Sequence, residues 1–412
     1  PDSQGDKETV RSTFLDEFEK NFVMSYKSND DYINKIFSAE ELQRNINAKT
    51  FPIEKIDDAT FNSKIKEWKD AVYIDQIRNT EPSAPSPYNG NIFSDLDNHN
   101  EILISRLSEM QNKPYSISQL ETYTTCPFKY FLERVLNLEV TEEPDEEIEA
   151  VEIGSILHAI LFEFYTKIRD KNIILKNCTD KIFSIALELI FKIADKHTSE
   201  MTKKSPFAFY EEEKIFGINS KKENSLLYKF LMNERTDQTN RNPNYFEVSF
   251  GVKDNEHDEL LYSDEPLNFE NIQLRGKIDR IDVNKHDRTF EVIDYKSGSK
   301  KITKSEIEKG TSLQLPVYIW AVKTLLSNQL GDEYSPMAIT IYNLKYKEDI
   351  FGKNSVSLGG RGANFNPTHV LNDLVDIALN HVKKSVENIL AGNFPLTLFI
   401  ADKEKVCRYC NY

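Results

Sequence analysis

The chain has 412 residues, 39% hydrophobic and 29% charged, with a formal net charge of −15 at pH 7. That length supports two domains with a substantial core, and the acidic balance excludes a surface that binds nucleic acid indiscriminately. No apolar run of about eighteen residues and no secretory leader occurs, which excludes a membrane span and predicts a cytoplasmic location. Four cysteines without a dense framework fit a reducing compartment. Because the chain opens on Pro1, it is expected to be a piece of a longer protein.

Residues 1–112 show helical patches such as Thr13–Phe18 and a linker at Glu81–Pro87, where prolines and small polar residues interrupt any regular element. From Ser116 the pattern changes. Ser116-x-x-Gln119 and Ser118-x-x-Glu121 are both capping-box candidates for a helix running toward Leu132. Residues 139–152 carry eight acids and no base, a solvated loop. The next helix is predicted after Gly154, with an apolar stripe of Leu157, Leu161, Phe164 and Ile168 that His158 borders. Residues 180–232 read as mostly helical. Strands follow at Tyr245–Val252, Gln273–Val283 and Thr289–Lys296, then a helix holding Gln314 and Tyr318, with Pro316 tolerated near its start. A strand near Ala338–Leu344 and a long helix from Val370 to about Leu390 complete residues 113–412. Helices flanking a small mixed sheet make this an α/β domain, preceded by a mostly helical extension.

Two segments carry the chemistry. Gly276–Asp282 and Val292–Lys296 read as strands joined by the turn-like Asn284–Asp287, an antiparallel pair. Alternation puts Val292, Asp294 and Lys296 on one face, and sends Arg280 and Asp282 to the face opposite Asp279. Carboxylates so placed hold a hard divalent cation that keeps several waters, while a lysine orients or deprotonates the attacking one. A hairpin with a charged solvent face is the plainer alternative. Against it, Ile278, Val292 and Ile293 imply a buried sheet, where charges must be paired or bind metal. His158 reads either as a packed histidine or as a ligand. Gln314 and Tyr318, four apart, share a helix face. Glu247 has no motif around it and, with Asp282, is left outside the catalytic set. Cys407-x-x-Cys410 suits a zinc knuckle, a redox pair or a cluster. Lys296, Lys300, Lys301 and Lys304, with Lys345 and Lys347, offer either a local phosphate track or solvated loop charge.

Asp279 and Asp294-Tyr295-Lys296, preceded by Gly154-x-x-x-His158 and followed by Gln314-x-x-x-Tyr318, resemble the PD-(D/E)xK nuclease core. Their order is similar to that of the RecB/AddB-type exonuclease domain of bacterial helicase-nucleases, over about residues 113 to 412. The resemblance implies a restriction-endonuclease-like fold with Mg²⁺ or Mn²⁺ held by His158, Asp279, Asp294 and the backbone carbonyl of Tyr295. It implies Lys296 at the water and Gln314 and Tyr318 at the substrate backbone. An imidazole ligand favours Mn²⁺. It also implies a [4Fe–4S] cluster on Cys126, in Thr124–Phe128, with Cys407 and Cys410. The family's last cysteine is missing before Tyr412, which leaves three ligands, and Cys178 reads as an ordinary free thiol. The function implied is a DNA exonuclease of double-strand-break repair and recombination, working on DNA ends with a partner subunit, and residues 1–112 would be the tail of a helicase-like domain. Two alternatives stay open: a catalytically idle DNA-end binding or partner-docking module, and a stand-alone CRISPR-associated-type nuclease.

Overall fold

The computed structural model describes residues 20, 62–79, 86–93, 101–138, 150–199, 208–217, 221–253, 257–298, 301–331, 333–345, 351–359, 365–395, 403–408 and 410. The predicted patch at Thr13–Phe18, most of the acidic block, Lys300 and Lys347 lie outside them. The chain divides into two units, Pro1–Pro82 and Ser83–Tyr412. The first contains helix α1, Asn62–Asn79.

The second unit takes in residues ahead of 113. Ser86 caps a short 3₁₀ turn at Pro87–Asn89. Helix α2, Glu101–Gln111, sends Leu107 into the core. Beyond the two-residue strand β1, Tyr115–Ser116, the Ser116/Gln119 capping box opens α3, Ile117–Thr125. This helix stops short of the expected Leu132. Pro127, whose ring suits the first turn of a helix, restarts the chain as α4, Pro127–Tyr130, followed by a π-helical turn at Phe131–Val135.

Helix α5 spans Ala150–Asp170, so it begins ahead of Gly154 rather than after it. The predicted helical stretch resolves into α6, Asp180–Thr198, α7, Ala208–Phe216, and α8, Leu226–Thr236. Strands β2, Asn242–Phe250, β3, Leu267–Phe269, β4, Ile272–Asn284, and β5, Thr289–Lys296, come next. Then follow α9, Lys304–Glu308, α10, Gln314–Leu330, β6, Ser335–Asn343, β7, Gly352–Ser355, α11, Pro367–Leu390, and α12, Lys403–Arg408.

Strand β4 organises the sheet. Its first residues pair with β1 and β3, and the remainder pairs antiparallel with β2 on one side and β5 on the other. The Asn284 carboxamide accepts the backbone N–H groups of His286 and Asp287, an Asx-type turn that returns the chain into β5. β5 pairs parallel with β6 after the α10 crossover, and β7 closes the edge antiparallel to β6. Two apolar layers sandwich this mixed sheet. Leu120 of α3, Val317 and Leu325 of α10, and Leu374 and Val382 of α11 share one with Ile281, Val292 and Ile339. Leu161 and Phe164 of α5, Ile190 of α6 and Phe230 of α8 share the other with Phe246, Ile293 and Tyr342. No described helix is long and apolar enough to cross a membrane.

Candidate metal centre and active site

The site forms where the sheet's ladders are interrupted. Between β4 and β5 the pairing stops at Arg280↔Ile293, one residue short of Asp279 and Asp294. Between β2 and β4, Phe246↔Arg280 and Val248↔Ile278 are paired, but Glu247 and Asp279 between them are not. Glu247 is held there in left-handed backbone, with φ of +49°. This conformation is uncommon for any residue with a Cβ, and such strain gathers at functional sites. In place of a ladder bond, the N–H of Tyr295 donates to the Asp279 carboxylate, Oδ2, at 2.7 Å. That bond fixes the carboxylate where the two strands part.

His158 reaches this gap from α5. Its Nδ1 lies 3.4 Å from Glu247 Oε1 and 3.5 Å from Asp279 Oδ1. Among the described residues, His158, Glu247 and Asp279 form the one group of three or more His, Cys, Asp or Glu side chains with ligand atoms all within 4.8 Å of one another. Burial lowers the basicity of His158, but the charge of Asp279, a hydrogen bond to the Glu247 carboxylate and the charges of Glu247 and Asp294 outweigh it and raise its pKa to about 9. Asp279 is pushed up to about 8 by burial and by the neighbouring Asp294 and Glu247, against the opposing pull of His158 and Lys296.

Asp294 is nearly inaccessible, its side chain 3% exposed. The amide Nε2 of Gln314 donates to its Oδ1 at 3.0 Å. Its Oδ2 is paired with Lys296, whose Nζ lies 2.8 Å away. An imidazole nitrogen together with carboxylate oxygens is a donor set that fits a divalent cation such as Mn²⁺ or Mg²⁺. Lys296 feels burial, which lowers its pKa, but the charge and hydrogen bonding of Asp294 prevail and raise it, so the amine is held as an ammonium.

Gln314 is positioned by a remote residue. The N–H groups of Leu313 and Gln314 both donate to Glu121 Oε1, at 2.6 and 2.8 Å. Glu121 therefore does not complete the capping box predicted for it with Ser118; it caps the N-terminus of α10 instead. Pro316 falls in the first turn of that helix, where no helical bond is lost. Tyr318 is buried one turn later, its hydroxyl 3.4 Å from Gln314 Nε2. His158, Glu247, Lys277, Tyr295 and Lys296 line a cavity of about 570 Å³.

The glycines of the motifs have separate reasons. A Cβ on Gly276 would come within 2.8 Å of the Phe250 ring and 3.0 Å of the Tyr318 ring. On Gly154 it would meet only Ser297 Oγ, at 3.7 Å, so the protein itself does not demand a glycine there.

A family model described as the PD-(D/E)XK nuclease superfamily matches residues 114–412. The chain belongs to that superfamily. Its nuclease fold is the mixed sheet with flanking helices described above. Among curated proteins it is similar to a subunit of an ATP-dependent helicase/deoxyribonuclease from Lactobacillus gasseri, 32% identical over 213 residues, or 50% of this chain and 18% of that one. The corresponding Clostridium botulinum protein, which carries the same description, is 26% identical across 70% of this chain in strain Loch Maree and 24% across 87% in strain Hall. The chain spans 24% and 31% of those two relatives.

The candidate site thus brings together His158, Asp279, Asp294, Tyr295, Lys296, Gln314 and Tyr318. Glu247, left out on sequence grounds, stands among them. A signal for it existed: a carboxylate inside the apolar run Tyr245–Phe250 must find a partner. Arg280 and Asp282 lie on the opposite face, as alternation requires. Cys126 is buried at the start of α4, its sulfur accepting the Lys129 N–H at 3.3 Å, while Cys407 is exposed and Cys410 half-buried.

Proposed function

We propose that residues 113–412 are the divalent-metal-dependent DNA exonuclease domain of a RecB/AddB-type helicase-nuclease, acting on DNA ends with a helicase partner subunit in double-strand-break repair and recombination. The observation that carries this is the meeting of His158, Glu247 and Asp279 within 4.8 Å, beside a buried Asp294 paired with Lys296. His158, Asp279, Asp294 and the carbonyl of Tyr295 would hold the cation, with Glu247 as a further carboxylate. Bound there, Mg²⁺ or Mn²⁺ acidifies water and offsets charge growing on the phosphate. Lys296 holds the nucleophilic water by donating to it and thereby fixes its line of attack. Gln314 keeps Asp294 from rotating, and Tyr295 does the same for Asp279 through its N–H.

The iron–sulfur reading of Cys126, Cys407 and Cys410 rests on their order along the chain. Three thiolates are one short of the four such a cluster takes. Cys178 is not the fourth, since it packs in the core with Leu175 and Phe183. Iron content and visible absorbance of anaerobically purified protein test this part separately.

For the nuclease itself, end-labelled single- and double-stranded DNA would be incubated with Mn²⁺ or with EDTA. Cleavage is expected only with the cation. Lys296→Ala should lower it by about 10²–10³-fold, the scale of losing one preorganised hydrogen-bond donor. Asp294→Ala should abolish it with the fold retained. Equal cleavage by the variants would refute these roles.

A further inference from the structure

Gly154 stands where a helix would do better with another residue. It lies inside the 21-residue helix α5, and a glycine there is less favourable than an alanine because its backbone has more freedom to lose. Its backbone is helical, so no left-handed turn requires it. Crowding does not require it either. At Gly276 two rings occupy the place of a side chain, but at Gly154 an added Cβ would meet, among the described residues, only the Ser297 hydroxyl at 3.7 Å. That is ordinary van der Waals contact, and an alanine would fit. Its methyl would, however, lie against the hydroxyl and cover it.

The space so kept open belongs to the active-site cavity, which Gly154, His158, Lys296 and Ser297 all line. His158 follows Gly154 by about one helical turn and shares its face of α5. Ser297 is exposed and follows Lys296 directly, at the point where β5 ends. A glycine facing a cavity lets a ligand come close to the backbone. Resting on the nuclease reading above, we propose that Gly154 and Ser297 form a subsite for the DNA phosphate next to the one being cleaved. The sugar–phosphate backbone packs on the bare Cα of Gly154, and the Ser297 hydroxyl donates to a phosphate oxygen. Hydroxyl side chains commonly serve phosphates in this way. Four residues of helix, about 6 Å along the axis, separate Gly154 from the metal ligand His158. The group that reaches Gly154 is therefore the neighbour of the phosphate at the cation, not that phosphate itself.

The test is a double-mutant cycle on the affinity of a labelled single-stranded oligonucleotide. Fluorescence anisotropy in Ca²⁺ reads it, with gel analysis to verify that the strand stays intact. Gly154→Ala and Ser297→Ala should each weaken binding by about tenfold, the scale of one hydrogen bond to a charged oxygen. The double variant should be no weaker than the weaker single one, because the added methyl and the lost hydroxyl act at one place. Gly154→Ala should melt no lower than wild type, since alanine is the better helix former, and should bind Mn²⁺ in calorimetry as wild type does. Wild-type DNA affinity in Gly154→Ala, or losses that multiply in the double variant, would overturn the proposal. Early melting of Gly154→Ala would overturn it as well, by showing that the glycine serves the fold. Ser297→Ala changes an exposed side chain beyond the strand and decides independently: unchanged affinity there removes the subsite. Cleavage by wild type in Mn²⁺ is scored in parallel. Its absence would remove the nuclease reading, whereas the binding cycle judges Gly154 and Ser297 by themselves.

Discussion

Arg280 offers the sharpest test of how the sheet supports the site. It is fully buried, its Nε 2.5 Å from Asp282 Oδ1 and its Nη2 2.8 Å from both Asp282 Oδ2 and Glu234 Oε2. Lys353 Nζ reaches Asp282 at 3.3 Å and Asp237 at 2.7 Å, and Lys176 Nζ lies 3.6 Å from Asp237. Three cations and three carboxylates thus form a chain of balanced charge behind β4. Arg280→Met keeps the aliphatic bulk and leaves one buried carboxylate uncompensated. Breaking a buried pair in this way costs about 3–5 kcal/mol. At roughly 2–4 °C per kcal/mol for a large domain, the melting temperature should fall by about 10 °C. Urea and thermal unfolding followed by circular dichroism would measure it. Adding Glu234→Gln restores the balance and should recover part of the loss. A single variant within about 1 kcal/mol of wild type, or a double variant worse than the single, would refute the charge-balance reasoning.

Gln314→Ala removes the amide that donates to Asp294; cation affinity or cleavage should drop about 10–100-fold, typical of a group that orients a metal ligand, with melting little changed. Gly276→Ala forces a methyl against Phe250 and Tyr318 and should destabilise by about 1–3 kcal/mol, read from the urea midpoint. His158, near 9, and Asp279, near 8, both bind their protons more tightly folded than unfolded, where the ordinary values are 6.5 and 3.8. Their stabilisation of the cation-free protein is therefore complete below those ordinary values and is lost as pH climbs through 8 and 9. Bound Mn²⁺ displaces the same protons, so its affinity by calorimetry should rise from about pH 6.5 to about 9; a flat profile would contradict the assignment.

Much of this was legible in the sequence because it is local. Strand β5 was readable to its end residues from Thr289 to Lys296, since alternation and the Asn284–Asp287 turn lie within a few positions of each other. The helix around Gln314 and Tyr318 was equally visible. What escaped depends on distant pairing. Glu247 becomes a site residue only through the register of β2 on β4; the apolar run around it signals that it needs a partner but not which one. Ser118-x-x-Glu121 had the spacing of a cap, but Ser116 and Gln119 took the helix start, and Glu121 was left to serve α10. The early start of α5 lies in an acid-rich run whose charges mimic a loop. The short strands β1, β3 and β7 are too brief to show periodicity.

The Pro87 turn is stitched to the far end of the same unit. The N–H of Phe394 donates to the Gly90 carbonyl at 2.7 Å, and that of Ile92 to the Gly392 carbonyl at 2.9 Å. Phe394 is 1% exposed among Tyr123, Tyr130 and Phe131. Expression trimmed to the homology boundary at residue 114 would therefore strip a clasp from this aromatic nest and invite precipitation, whereas a clone starting before Ser86 keeps it fastened.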